Sequence, residues 1–239
     1  MSGAGPFRGE VQMRNRLAFV AVLAFAATGA MAADAVLGGV SIHLPPAAGF
    51  CELSESNPAD NRMVTTIGGL VGKAGNKLLN MSADCQQLAD WRAGKRKLLD
   101  DYGQYQTPAA QMNELVASPA DAIKQTCATL RTQGSQIVAN QAPDLKARIE
   151  ETLKTVKMNE VSFLGVLAED ANACYAGQLQ KLQTETGTEK TQIVLIGIAV
   201  VKNKNIFVYR MTVYKGPATA TDLLGTFKNT ISALYAANK

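Results

Sequence analysis

The sequence predicts an α+β protein, a mainly antiparallel sheet flanked by helices, with a helical insertion near residues 118–157. Three features of its last fifty residues predict this. Ile193–Val201 is an unbroken, β-branched apolar run, which suits a strand covered on both faces. After a polar turn at Lys202–Asn205, Ile206–Tyr214 alternates and becomes polar on one side towards its end, as a hairpin partner would. Leu223, Phe227, Ile231 and Leu234 then fall at helical spacing behind Gly216-Pro217. Thr219 and Asp222 stand in a capping-box arrangement at the start of that helix.

At the other end, Arg14 and Arg16 precede an apolar stretch, Leu17–Ala27, and an A-x-A site at Ala30-Met31-Ala32. This is the pattern of a secretory leader cut after Ala32. The apolar stretch is short of the roughly 20 residues that a membrane span needs. Residues 1–12 do not belong to the leader pattern. Arg8-Gly9-Glu10 can be encoded by a purine-rich, ribosome-binding string, so translation is expected to start at Met13. Residues 1–32 then form the signal peptide and residues 33–239 a single domain.

Removing Arg8, Arg14, Arg16 and Glu10 takes the 24 basic and 20 acidic residues to a net charge of +2. So even a balance gives no electrostatic footprint for nucleic acid, and no basic block is present for an anionic membrane. All four cysteines lie beyond the leader. An even count in an exported chain favours disulfides, and wide spacing without C-x-x-C argues against zinc or a thioredoxin-type motif. Of the three connectivities, Cys51–Cys85 with Cys127–Cys174 is expected. It pairs sequence neighbours and ties a helical segment to an adjacent strand each time.

In chain order, Val40–Leu44 and Gly49–Leu53 read as short strands. Asn57-Pro58 opens a helix carrying Met63, Val64, Ile67, Leu70 and Val71, which ends at Gly75-Asn76. Lys77–Ala83 reads as a strand, Asp84 as the cap of a short helix ended by Gly94, and Leu98–Gln106 as another strand. Ser118-Pro119 opens a helix closed by Gly134, and Pro143-Asp144 opens another with Leu145, Ile149 and Leu153 on one face. Val161–Ala168 and Cys174–Thr184 form a strand pair, and Gly187 separates it from the final stretch.

The chemistry on offer is sparse. His43 is the single histidine, which excludes a His-based metal cluster and leaves at most one imidazole for a nucleophilic triad. No phosphate loop, nucleophile elbow or metalloprotease motif is present. The richest polar and aromatic stretch holds Asp84, Trp91, Arg92, Asp100, Tyr102 and Tyr105. Aromatic and arginine side chains are the usual anchors of recognition surfaces, so these six are the candidate ligand- or partner-binding residues.

The hairpin strand Asn203–Tyr214 running into the helix Leu223–Asn238, with Leu44-Pro45-Pro46 near the start, resembles the PsbP-like superfamily. The resemblance implies an antiparallel sheet flanked by helices, and a binding or accessory role more often than catalysis. The expectation is an exported, disulfide-containing, non-catalytic envelope protein of the periplasm or secreted space. It would bind a partner protein or small ligand without cofactor, metal or nucleic acid, and keep no membrane span after cleavage. A periplasmic hydrolase with an unrecognised site is the alternative. N-terminal sequencing of the exported protein is expected to read Ala33-Asp34-Ala35. Recovery of the intact chain from the inner membrane would refute the leader assignment.

Overall fold

The computed structural model describes residues 33–239. The leader, its cleavage site up to Ala32 and the Met13 start lie outside them. Seven antiparallel strands form one sheet in the order β3-β4-β5-β9-β8-β7-β6. They are β3 (Phe50–Glu52), β4 (Asn76–Asp84), β5 (Tyr102–Pro108), β6 (Val156–Glu169), β7 (Ala173–Thr184), β8 (Glu189–Val201) and β9 (Lys204–Val213). A separate hairpin, β1 (Ala33–Leu37) with β2 (Val40–Leu44), and four helices complete the fold: α1 (Pro58–Lys73), α2 (Cys85–Arg92), α3 (Pro119–Leu153) and α4 (Pro217–Ala237).

The apolar run is β8, paired with β7 on one side and β9 on the other. The middle strand of the seven is β9, one step from the expected centre. Both faces of β8 are covered. Ile193, Leu195, Ala199 and Val201 pack with Leu37, Ile42 and Leu44 of the hairpin and with Leu223, Phe227, Ile231 and Leu234 of α4. On the opposite face Val200 packs with Ile123 and Cys127 of α3. That same face continues across the sheet to Met81 and Ala83, which meet Ile67 and Val71 of α1 and Leu88 of α2. The β8–β9 turn places Lys202 and Asn203 at φ 47° and 62°, the left-handed pair that a two-residue hairpin requires.

Both expected disulfides are present. Cys51–Cys85 joins β3 to the first residue of α2, and Cys127–Cys174 joins α3 to β7. Asn57 caps α1, its Oδ1 accepting from the Ala59 and Asp60 amides. Asp84 caps α2 by accepting from the Gln87 amide.

Three local expectations are corrected. The hairpin strand β1 has no counterpart in the sequence reading, because five residues of weak alternation carry little signal. The α4 helix begins at Pro217, with Gly216 as its cap, so Thr219 and Asp222 lie inside the first turns and form no capping box. Thr219 Oγ1 instead accepts from the Lys215 amide at 3.1 Å. Finally, the two helices expected between residues 118 and 157 are a single 35-residue helix. It carries the chain from β5, inside the sheet, to β6 at the far edge.

Gly134 and Pro143 looked like a stop and a start. The structure gives Gly134 a packing role: a Cβ there would collide with the Phe163 ring on β6. Helix propensity alone would favour Gly134→Ala by about 1 kcal/mol. Overpacking against Phe163 reverses the sign, and a net loss of about 1–3 kcal/mol is expected in urea denaturation. A Gly134→Ala protein more stable than the parent would refute this packing role.

Candidate functional site

The six candidate residues divide between the two faces of the sheet. Trp91 of α2 and Tyr102 of β5 are half-buried against the Leu53, Ile67, Val71, Met81 and Leu88 cluster. Tyr105, three residues beyond Tyr102, points to the opposite face. It is 4% exposed and donates its hydroxyl to the Pro45 carbonyl at 2.6 Å. The odd spacing of the two tyrosines on one strand dictates this separation.

Arg92 is engaged within the fold. Its Nη2 donates to Asp60 Oδ2 at 2.6 Å and to the Glu52 carbonyl at 3.1 Å, and its Nε reaches Asp60 Oδ1 at 3.2 Å. Asp60 is fully buried, and its Oδ2 also accepts from the Ser54 amide at 3.0 Å. The guanidinium therefore neutralises a carboxylate in the interior and joins α2, α1 and the exit of β3. A buried carboxylate without such a partner would be strongly destabilising.

Asp84 and Asp100 belong to a polar network around Gln87, a residue outside the six candidates. Gln87 Oε1 accepts from Arg96 Nη1 and from the amides of Asp100, at 2.8 Å, and Asp101, at 3.2 Å. Its Nε2 donates to Asp101 Oδ2, whose other oxygen accepts from Thr212 of β9. Asp100 pairs with Arg96 at 3.0 Å and with Lys190 of β8. Burial, together with the nearby Arg96 charge, lowers the Lys190 pKa. The network stitches the loop of residues 93–101 to α2 and to the ends of two strands.

Arg210 of β9 is a further member of this corner. It lies opposite Gly103 of β5, where the missing Cβ leaves room for its chain. The guanidinium stacks on Phe50, with Cζ 3.4 Å from the ring centroid, while Nε and Nη1 are buried without a hydrogen-bond partner. Desolvation brings its pKa down to about 10, against the opposing pull of Asp101 and Asp84. The Phe50 contact is a cation–π pair in a partly dry setting.

Two hollows, of about 340 and 310 Å³, open elsewhere on the surface. The first is lined by Thr212 and the start of α4, the second by Asn172, Lys202, Tyr235 and the residues after α4. None of the six candidate residues lines either one. Among the described residues no group of three or more His, Cys, Asp or Glu side chains is placed to hold a metal ion. No helix among them is long and apolar enough to cross a membrane.

No protein-family model and no curated protein matches the chain. Among solved structures it is similar to the Saccharomyces cerevisiae Ran-binding protein Mog1p. Identity is 7% and the TM-score 0.30, over 87% of this chain and 93% of that one. At that score the likeness bears on neither partner nor activity.

Five tyrosines, Tyr102, Tyr105, Tyr175, Tyr209 and Tyr235, have phenol pKa values raised chiefly by burial, Tyr209 to about 12. An unfolded phenol ionises near 10. Their neutral forms thus contribute stability fully present below about pH 10, and it is lost as pH climbs through the folded values. In a spectrophotometric titration, phenolate absorbance from these five is expected to rise together with loss of structure above about pH 10. Ordinary ionisation of all of them in a protein still folded would refute their burial.

Proposed function

We propose that the protein is an exported, non-catalytic envelope protein that binds a partner or small ligand through the surface around Trp91. Two disulfides in one chain support an oxidising compartment. The leader pattern and the PsbP-like resemblance point the same way. The observation that carries the binding surface is the seating of Trp91. It is a large aromatic, packed on the apolar cluster but still partly exposed, on a short helix that Cys51–Cys85 and the Arg92–Asp60 pair hold in place. Beside it the loop of residues 93–101 exposes Lys95, Lys97 and Leu98, the last at 40%. A fixed aromatic rimmed by exposed polar and charged groups is the usual composition of a recognition surface.

The test uses residues that the fold does not need. Envelope partners are captured by the protein beginning at Ala33, then by Lys97→Glu and Leu98→Ser variants with unchanged melting temperatures. Loss of the partner in both, with a shift in the fluorescence of the single tryptophan on binding to the parent, is expected. Unchanged capture by both variants would refute the surface. Robust turnover in a broad hydrolase screen would refute the non-catalytic reading in favour of the hydrolase.

A further inference from the structure

The A-x-A site ends at Ala32, so a cut there makes Ala33 nitrogen a chain terminus. In the fold that same nitrogen is already held. It opens β1 and donates to Glu52 Oε1 on β3 at 2.9 Å. The same carboxylate oxygen accepts from Asn80 Nδ2 of β4 at 3.0 Å, which fixes its position. The backbone carbonyl of Glu52 is fixed in turn by Arg92. A sequence motif and a tertiary contact, found independently, converge on one atom.

We infer that Glu52 is the receptor for the α-ammonium group released by cleavage after Ala32, and that this ion pair fastens the β1–β2 hairpin onto the sheet. The inference rests on the export reading for the position of the cut. The step is hydrolysis by a leader peptidase. Water adds its oxygen to the Ala32 carbonyl carbon, the Ala32–Ala33 bond breaks, and the Ala33 nitrogen leaves with a proton. A second proton from solvent makes it an ammonium. Before the cut, Glu52 accepts one bond from a neutral amide. After it, the partner carries a full positive charge and three donors, so the contact becomes an ion pair in which donor and acceptor are both charged.

What the pair holds down is large. Leu37, Ile42 and Leu44 of the hairpin are all fully buried and cover Leu195 and Ile193 of β8 together with α4. Processing then tightens the hold on the hairpin as well as releasing the leader, because the cut adds a charge to a contact that is already in place. Other charged groups near the pair are Asp34 and His43 of the hairpin, which bond each other at 2.7 Å, and Arg92 of α2, bonded to the Glu52 carbonyl. Tyr105 of β5, whose phenol feels the Glu52 charge, also faces this corner.

The experiment compares four proteins that all begin at Ala33, since every described strand and helix lies within residues 33–239. They are the parent, its α-acetylated form, Glu52→Gln, and Glu52→Gln acetylated. Glutamine keeps the oxygen that Asn80 and Ala33 use, so the fold is retained. Hydrogen exchange of the Leu37 and Ile42 amides is expected to quicken about five- to tenfold on acetylation of the parent, and by a similar factor in Glu52→Gln. Acetylation of Glu52→Gln is expected to add little, because both changes remove one interaction. The α-amino pKa, read by ¹³C-methyl labelling, is expected above its ordinary value of about 7.7 in the parent and near it in Glu52→Gln. Equal exchange in parent and acetylated chains, or a full acetylation effect persisting in Glu52→Gln, would overturn the inference. N-terminal sequencing of exported protein that starts elsewhere would leave export standing but remove the Ala33 ammonium, and would overturn the inference.

Discussion

Burial of β8 on both faces is the constraint from which the rest of the architecture follows. A strand whose odd and even residues are both apolar cannot face solvent, so each side of the sheet needs a cover. One cover is α4 with the β1–β2 hairpin, and the other is α3. Each is fixed at the sheet by something other than apolar contact alone. The Cys127–Cys174 bridge ties α3 to β7, next to Val200. Tyr235 of α4 donates its hydroxyl towards the carbonyls of Asn172 and Val200, and accepts from the Val200 amide. The long α3 serves the same end topologically. It delivers β6 and β7 to the far side of β8, which the chain could not reach by a hairpin from β5.

Much of this was legible because the relevant signals are local. Periodicity located β8, β9 and α4, and cap residues located the starts of α1 and α2. The disulfide pairing followed from spacing and from the elements each cysteine occupies. Gly134 and Pro143 misled for a shared physical reason. Both are poor helix residues on local grounds, and tertiary packing overrides local preference when a glycine lets a ring approach and a long helix has a sheet to lie on. The short β1 was illegible because its stability comes from β2 and from the core beneath it.

The six candidate residues were legible as a composition and not as a place. Sequence proximity gathered them, while strand alternation sent Tyr102 and Tyr105 to opposite faces. The residues that organise this corner, Asp60, Gln87 and Arg210, come from three different elements and have no common sequence pattern. One clue was available: Gln87 stands three residues after the cap Asp84, the spacing of a capping box. Arg210 could have been suspected from its position in the alternating strand, facing the core side between Val208 and Thr212. Its compensation by Phe50 and by the absent side chain of Gly103 is visible only in three dimensions.

Asn238 gives the hairpin a last partner. Its side-chain amide accepts from the His43 amide at 2.8 Å and donates to the His43 carbonyl at 2.7 Å, copying the paired bonds of a neighbouring strand. The two residues are 195 positions apart. The edge of β2 therefore stays unsatisfied throughout synthesis until Asn238 has been made. Contacts this remote in sequence are slow to form, because a long loop must close before they return any stability. Such closure makes the chain's beginning wait on its end, so the first hairpin is completed by the last residue but one.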